Sequence, residues 1–179
     1  MAHPAQLSFI NAIKGMYGNY FTNSKVLEVG SLNINGTVRQ FFDNPQHYIG
    51  LDVGEGPGVD IVCDGDKYDT DERFDCVISC ECMEHNLNWK GTFANMIRLC
   101  RPGGLVIMTC ATTGRPEHGT SRTTPQDSPL TISKGWEYYR NLTPEDFTQR
   151  FNLSGHFRYF GFETNPTAHD LYFVGVKHD

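Results

Sequence analysis

The stretch that most constrains the fold is Lys25–Gly36, with the sequence Lys-Val-Leu-Glu-Val-Gly-Ser-Leu-Asn-Ile-Asn-Gly. Its short apolar run contains β-branched residues and is bounded by glycine, which predicts a buried central strand of a parallel sheet. Glycine lets the backbone turn sharply and approach a ligand closely. Because ligands of open α/β sheets bind at the carboxyl ends of such strands, the turn at Gly30 is the first candidate binding site.

Length and composition indicate one globular domain spanning residues 1–179. Apolar residues make up 39% of the chain and charged residues 20%, a balance that argues against disorder. The formal net charge of −6 disfavours nonspecific binding to nucleic acid or to an anionic membrane, because such binding needs a basic face. No apolar run approaches the length of a membrane span.

The cysteines indicate a reducing environment. Most of the six lie in apolar segments, where a free thiol packs as a small hydrophobe. No segment has the pattern of a secretion signal, so we expect a reduced, cytoplasmic protein rather than a disulfide framework. The cysteines are Cys63, Cys76, Cys80, Cys82, Cys100 and Cys110.

Periodicity and turn residues predict alternating strands and helices along the chain. Strands are predicted at about 25–30, 47–52, 59–63, 74–79 and 105–110, with a closing hairpin of 157–164 and 171–177. Helices are predicted at 4–20, 37–42 and 89–100, and after an N-cap at Thr143. The segment 112–141 is polar and long, which is typical of a functional loop.

Acidic residues recur at the carboxyl ends of the predicted strands. Glu28 lies in the first strand, Asp52 ends the second, Asp64 follows the third and Glu81 follows the fourth. These ends line one edge of a parallel sheet. A carboxylate beside a glycine turn can accept hydrogen bonds from both hydroxyls of a ribose, and an acidic rim favours a positively charged ligand.

From about residue 24 to the end, the sequence resembles the class I S-adenosylmethionine-dependent methyltransferases. The resemblance implies a Rossmann-like α/β fold, with a seven-stranded, mostly parallel sheet flanked by helices and an antiparallel last strand. The sequence departs from the family pattern between Gly30 and Gly36, where more glycine is usual. The matching motifs are Glu28-Val29-Gly30, Tyr48-Ile49-Gly50-Leu51-Asp52, Val62-Cys63-Asp64, Phe74–Ser79 followed by Glu84-His85, and Leu99–Leu105.

The resemblance also implies which residues bind S-adenosylmethionine. Asp52 is expected at the ribose, Asp64 near the adenine amine, and Glu28 at the amino group of the cofactor or at an amide of the turn. The complete set of implied cofactor contacts is Glu28, Gly30, Ser31, Asp52, Val53, Asp64, Gly65 and Cys80.

The acceptor side is predicted around the fourth strand and the 112–141 loop. His85 and His118 are candidate catalytic residues, because histidine can take a proton near neutral pH; the alternative is that they are surface histidines or satisfied core histidines. Basic residues give the loop a local positive balance, which suits closure over an anionic or sugar-like substrate. A solvated loop with an aromatic anchor is equally compatible. The candidate substrate-binding residues are Glu84, Arg115, Tyr139 and Arg140.

The predicted function is methyl transfer to an oxygen, nitrogen or carbon atom of a small molecule. Alternatives are a noncatalytic cofactor-binding module, a dinucleotide-type enzyme and a methyltransferase acting on a macromolecule. The dinucleotide type is disfavoured because no Gly-x-Gly-x-x-Gly follows the first strand. Cys80, Cys82 and His85 have ligand types suited to zinc, but their spacing is poor, and we expect no metal. The oligomeric state stays open.

Overall fold

A computed structural model describes residues 2–179 and contains one seven-stranded sheet. The strand order is β3-β2-β1-β4-β5-β7-β6. The strands are β1 (Lys25–Val29), β2 (His47–Asp52), β3 (Ile61–Val62), β4 (Phe74–Cys80), β5 (Cys100–Ala111), β6 (Phe157–Asn165) and β7 (Asp170–Lys177).

Strand direction matches the predicted fold class. Strands β3, β2, β1, β4 and β5 are parallel neighbours, whereas β7 is antiparallel to both β5 and β6. The strand order reverses at β1, which lies between β2 and β4. An open sheet binds its ligands at such a switch point, outside the carboxyl ends of the strands, and the turn at Gly30 occupies that position.

Apolar side chains cover both faces of the sheet. One buried cluster joins Ile10 and Ile13 of the first helix to Val38, while the other joins Trp89 and Phe93 to the strands from the opposite face. The two layers fix the sheet between them. The helices are α1 (Pro4–Met16), α2 (Trp89–Leu99), α3 (Pro129–Ser133), α4 (Pro144–Thr148) and α5 (Leu153–His156).

Two predicted helices are shorter in the structure. The helix predicted at 4–20 ends at Met16, and a 3-10 turn follows at Gly18–Tyr20. The helix predicted at 37–42 is a 3-10 turn at Val38–Phe41, where the Thr37 hydroxyl accepts a hydrogen bond from the Arg39 amide. Helix α1 therefore supplies most of the helical cover on this face.

Two strand boundaries also differ from the prediction. Strand β3 has only two residues instead of 59–63, because the Asp60 carboxylate, rather than backbone, accepts the Gly50 amide at 2.7 Å. Strand β5 begins at Cys100 instead of 105, since a shift in its pairing with β4 keeps the Pro-Gly-Gly run inside the strand. Gly103 has φ +65° in this run, a conformation that glycine adopts readily.

The remaining elements follow the prediction closely. Helix α4 begins after Thr143, whose side chain and that of Asp146 form a capping box. The 112–141 loop includes helix α3 and a 3-10 turn at Pro125–Asp127. All six cysteines are free thiols. Across residues 2–179, the helices are too short or too polar to cross a bilayer.

Candidate active site

A pocket of about 620 Å³, including space open to solvent, lies at the carboxyl ends of β1, β2 and β4. The sheet supplies its floor and the chain segments beyond the sheet supply its walls. This is the switch point at which an α/β sheet binds ligands. The lining residues from the strand ends are Glu28, Gly30, Asp52, Cys80, Glu81, Cys82 and His85.

The turn after β1 requires glycine at position 30. Gly30 has φ +81°, and its amide donates to the Leu51 carbonyl at 2.8 Å. A Cβ atom added at this position would lie 2.6 Å from both Cβ and Sγ of Cys82. The turn therefore combines a left-handed backbone conformation with a close approach to the chain that follows β4.

Asp52 is held by backbone amides from two sides. Its Oδ2 accepts from Leu32 at 2.9 Å and its Oδ1 from Val53 at 2.8 Å. Burial raises the pKa of Asp52, and the two amides partly offset that rise. Each carboxylate oxygen retains a second acceptor position, so Asp52 can still accept hydrogen bonds from a ligand in the pocket.

Glu28 is the second carboxylate in the pocket. It is buried, and its Oε2 accepts a hydrogen bond from the Tyr48 hydroxyl at 2.7 Å. Burial raises the pKa of Glu28 to about 7, although the Tyr48 hydrogen bond opposes the shift. Near neutral pH, the charge of Glu28 is therefore sensitive to any cation that enters the pocket.

Helix α1 supplies another wall of the pocket through Gln6. Gln6 is fully buried, and its amide makes no hydrogen bond to nitrogen or oxygen of the described residues, although the Cys80 thiol interacts with it. A buried amide without a strong partner is costly. Gln6 is therefore suited to bind a polar group of a ligand.

Residues 127–131 of the long loop form the roof of the pocket. The Leu130 side chain reaches the backbone at Gly54, where a Cβ atom would lie 2.8 Å from Leu130 Cδ2. Four residues after Leu130, Lys134 forms an ion pair with Asp64 at 2.5 Å. These contacts close the roof over the strand ends.

A cluster of Glu84, His85, His118 and Tyr139 adjoins the pocket. The rings of His85 and His118 lie 4.9 Å apart, and Tyr139 packs on both, at 5.5 Å and 4.9 Å. Gly119 lets the loop approach, since a Cβ atom there would lie 2.7 Å from His85 Cε1. His85 lines the pocket as well and so links the two regions.

Burial controls the ionisation of this cluster. It raises the pKa of Glu84 to about 8, with a further contribution from Glu81, while the backbone amides of Glu84 and Ala111 oppose the rise. Burial and the neighbouring His118 lower the pKa of His85 to about 3. The pKa of His118 is also lowered, chiefly by burial. Both imidazoles are therefore neutral near pH 7.

A second buried cluster is balanced by cations. His3 lies 3.3 Å from Asp170 Oδ2 and 3.6 Å from Glu81 Oε2, and Arg115 pairs with Asp170 at 2.9 Å. The interactions with Asp170 and Glu81 raise the pKa of His3 to about 9. Thr109 donates a hydrogen bond to Glu81 at 2.8 Å. This cluster ties the start of the chain to β7 and to the long loop.

A sequence model of a protein family described as a methyltransferase domain matches residues 21–166, which include the strand-end residues of the pocket and the histidine cluster. The chain belongs to this methyltransferase family. No curated protein matches the sequence significantly. The match decides against the dinucleotide-type alternative, and S-adenosylmethionine is the cofactor of the methyltransferase.

Solved structures share the fold of the methyltransferase at low sequence identity. The 1,6-didemethyltoxoflavin-N1-methyltransferase of Burkholderia thailandensis, with S-adenosylhomocysteine bound, is 17% identical with a TM-score of 0.66; the match covers 98% of this chain and 79% of that one. Phosphoethanolamine N-methyltransferase 2 of Haemonchus contortus, in complex with S-adenosylmethionine, is also 17% identical with a TM-score of 0.66. That match covers 96% of this chain and 53% of the enzyme. The chain thus spans about half of that enzyme.

The N-methyltransferase NodS of Bradyrhizobium japonicum, in complex with S-adenosylhomocysteine, is closer in length to the methyltransferase. It is 13% identical with a TM-score of 0.63, and the match covers 99% of this chain and 89% of NodS. At such identities, the likeness concerns the fold and does not transfer a substrate.

The structure brings half of the predicted cofactor contacts to the pocket. Glu28, Gly30, Asp52 and Cys80 line it. The other four are not among the lining residues: Ser31 is buried behind the turn, Val53 donates its amide to Asp52, Asp64 is paired with Lys67 and Lys134, and Gly65 packs on Val29 and Thr92.

The predicted acceptor residues separate into two groups. Glu84, His85, His118 and Tyr139 form one cluster. Arg115 and Arg140 instead pair with carboxylates, Asp170 and Asp146, and Lys134 and Arg122 of the same loop are also paired with acids. The positive balance of the loop is thus neutralised within the chain.

Sequence reasoning missed several lining residues of the pocket. Gln6, Leu32, Cys82 and residues 127–131 come from segments without a family motif. One signal was available for Gln6: in the helix predicted at 4–20, this polar residue shares a face with the apolar Ile10 and Ile13. Cys82 and the roof segment gave no such signal, because their positions depend on tertiary packing.

Proposed function

We propose that the methyltransferase transfers the methyl group of S-adenosylmethionine to an oxygen, nitrogen or carbon atom of a small molecule. The observation that carries this proposal is the position of His85, which lines the cofactor pocket and also packs in the cluster with His118 and Tyr139. In this arrangement the cofactor occupies the pocket and the acceptor approaches from the histidine side.

The proposed division of roles follows the contacts. Asp52 accepts the ribose hydroxyls, Glu28 faces the amino group of the cofactor, and the Gly30 turn brings backbone close to it. His85, His118 and Tyr139 shape the acceptor side. Methyl transfer from a sulfonium is a direct displacement, so positioning of the two reactants supplies much of the rate.

A small acceptor is supported by the roof of the pocket. Residues 127–131 cover the strand ends, and the ion pair of Lys134 with Asp64 anchors the segment that follows. The loop cations that would attract a polyanion are paired with acids, and the chain carries a net charge of −6. Both features disfavour a nucleic-acid acceptor.

Six free thiols suit a reducing compartment such as the cytoplasm.

The proposal is tested in two stages. Calorimetry with S-adenosylhomocysteine is expected to give one binding event per chain. Transfer of a labelled methyl group is then measured on a panel of small alcohols, amines and carbon acids, with RNA, DNA and protein as parallel acceptors. Label on a small molecule supports the proposal. Label on the polymers alone would replace it with a macromolecular acceptor, and no S-adenosylhomocysteine binding by folded protein would overturn it.

The pKa of Glu28 predicts how cofactor affinity changes with pH. Because that pKa is raised to about 7, Glu28 is mostly neutral at pH 6 and gains its charge as the pH rises. Binding of the cofactor's ammonium group should therefore strengthen about fivefold to tenfold between pH 6 and 7.5, below the pKa of an α-amino group at about 8. Calorimetric titrations with S-adenosylhomocysteine at several pH values measure this change.

Glu28→Gln is the matched control for this pH dependence. It keeps an acceptor for the Tyr48 hydroxyl but removes the titrating group. The variant should bind more weakly at pH 7.5 and show a flat profile. A wild-type profile as flat as that of the variant would contradict the assigned contact of Glu28 with the ammonium group.

A further inference from the structure

Three side chains next to the cofactor pocket combine the donor atoms of a metal site. Glu84, His85 and His118 each offer one ligand atom, and the three atoms lie within 4.8 Å of one another. Ligand atoms on opposite sides of an ion with bond lengths of about 2.1 Å are about 4 Å apart, so small side-chain movements suffice to close the site. Cys80 and Cys82 do not belong to this group.

Two of these side chains are buried and have no side-chain hydrogen bond in the described part of the chain. Glu84 is fully buried and His85 is 3% exposed. Neither carboxylate oxygen of Glu84, and neither ring nitrogen of His85, makes a hydrogen bond of good geometry within residues 2–179, although the backbone amides of Glu84 and Ala111 lie near the carboxylate. Buried polar groups nearly always have a partner, because an unpaired one loses its hydration without compensation. Four such atoms in adjacent residues therefore indicate a missing polar or cationic ligand.

His118 is oriented as a metal ligand would be. Its Nδ1 lies 3.0 Å from the Pro116 carbonyl, which fixes the proton on Nδ1 and leaves the lone pair of Nε2 available. Metal-bound histidines commonly donate the other ring N–H to a backbone carbonyl in this way. Tyr139 packs against both histidine rings and restricts their orientation.

The carboxylates of the neighbouring acidic cluster, unlike Glu84, have cationic and hydroxyl partners within the protein. Glu81 and Asp170 lie close to His3, and Arg115, Tyr172 and Thr109 also contact these two carboxylates. Protein cations and hydroxyls thus compensate that cluster. Glu84 has no comparable ion pair within the described residues, so an added cation is favoured at Glu84 rather than at Asp170.

We propose that Glu84, His85 and His118 bind one divalent transition-metal ion beside the cofactor pocket. One carboxylate and two imidazoles form a ligand set used for zinc and for Fe²⁺, with coordination positions left open. Because His85 also lines the pocket, an oxygen atom of the acceptor can complete the coordination shell close to the methyl donor. This role in acceptor binding rests on the proposed function, whereas the binding of the ion does not.

The test is a direct measurement of metal binding. Protein is stripped with a chelator and titrated with Zn²⁺ by calorimetry, and Mn²⁺ binding is followed by electron paramagnetic resonance. Wild type should bind one ion per chain. Glu84→Gln and His118→Ala should each weaken binding by about 100-fold or more, since loss of outer-shell partners alone costs about 10–100-fold. Glu84→Gln preserves volume, and His118 lies on the loop.

His47→Gln serves as the matched control. His47 is an exposed histidine that pairs with Glu72, and its loss should leave ion binding unchanged. Binding of S-adenosylhomocysteine is measured on the same samples, which separates loss of the fold or of the cofactor site from loss of the ion. Wild-type protein that binds S-adenosylhomocysteine but takes up neither Zn²⁺ nor Mn²⁺ at millimolar concentration would overturn the metal site alone. Ion binding that is unchanged in both variants would show that Glu84 and His118 are not the ligands.

Discussion

Gly30→Ala is expected to destabilise the methyltransferase by about 3 kcal/mol, which corresponds to a fall in melting temperature of roughly 6–12 °C. At φ +81°, a residue with Cβ costs about 1–2 kcal/mol more than glycine. The added Cβ atom would also lie 2.6 Å from Cβ and Sγ of Cys82, so the turn after β1 must shift. Thermal unfolding and calorimetry with S-adenosylhomocysteine should show loss of stability and of affinity together.

Gly15→Ala provides the control for this substitution. Gly15 lies in α1, and a Cβ atom there would meet nothing within 4 Å. Alanine at a helical position of this kind should leave stability unchanged or raise it by up to about 1 kcal/mol. Combining Gly30→Ala with Cys82→Gly should relieve the contact but not the strained φ. If Gly30→Ala melts like wild type, the turn does not need glycine.

The sheet could be predicted from sequence because its signals are local. Strand β2 begins and ends at the predicted residues 47–52, since a short apolar run there ends at an acid. The capping box at Thr143 and Asp146 is equally local and begins α4 where it was predicted. The predicted length of β3 was too great. The Asp60 carboxylate accepts the hydrogen bond of the Gly50 amide in place of a backbone carbonyl, and the sequence pattern does not show this exchange of acceptors.

The acceptor side could be predicted only in part. Residue type identified His85 and His118 as candidates, but their contact depends on a loop that returns over the sheet with Gly119 at close approach. Composition suggested a positively charged loop, whereas the structure pairs Arg115 and Lys134 with Asp170 and Asp64. A count of charges in a segment does not show which charges are neutralised by distant parts of the chain.

Asp52→Ala is expected to weaken binding of S-adenosylhomocysteine by about 100-fold to 1,000-fold. Hydrogen bonds to a charged group contribute about 1.5–3 kcal/mol each, and a carboxylate can accept one from each ribose hydroxyl. Tenfold in affinity corresponds to about 1.4 kcal/mol, so two lost bonds near the lower end of that range, about 3–4 kcal/mol together, account for the expected loss. Asp52 also accepts the amides of Leu32 and Val53, and its removal leaves part of the pocket wall less ordered. Calorimetry measures the affinity and circular dichroism verifies the fold.

Asp64→Asn tests whether Asp52 or Asp64 is the strand-end acid that binds the cofactor. Asp64 is engaged by Lys67 at 2.6 Å and Lys134 at 2.5 Å and lies outside the pocket lining, so its neutralisation should reduce affinity less than tenfold, through a looser roof segment. Asp52→Asn retains one carbonyl acceptor and should fall between wild type and Asp52→Ala. The order of the three variants is more informative than any single value, because loss of the roof and loss of a ribose contact differ in size. If Asp64→Asn weakened binding more than Asp52→Ala, the ribose would be bound by Asp64, which follows β3, and not by Asp52 at the end of β2.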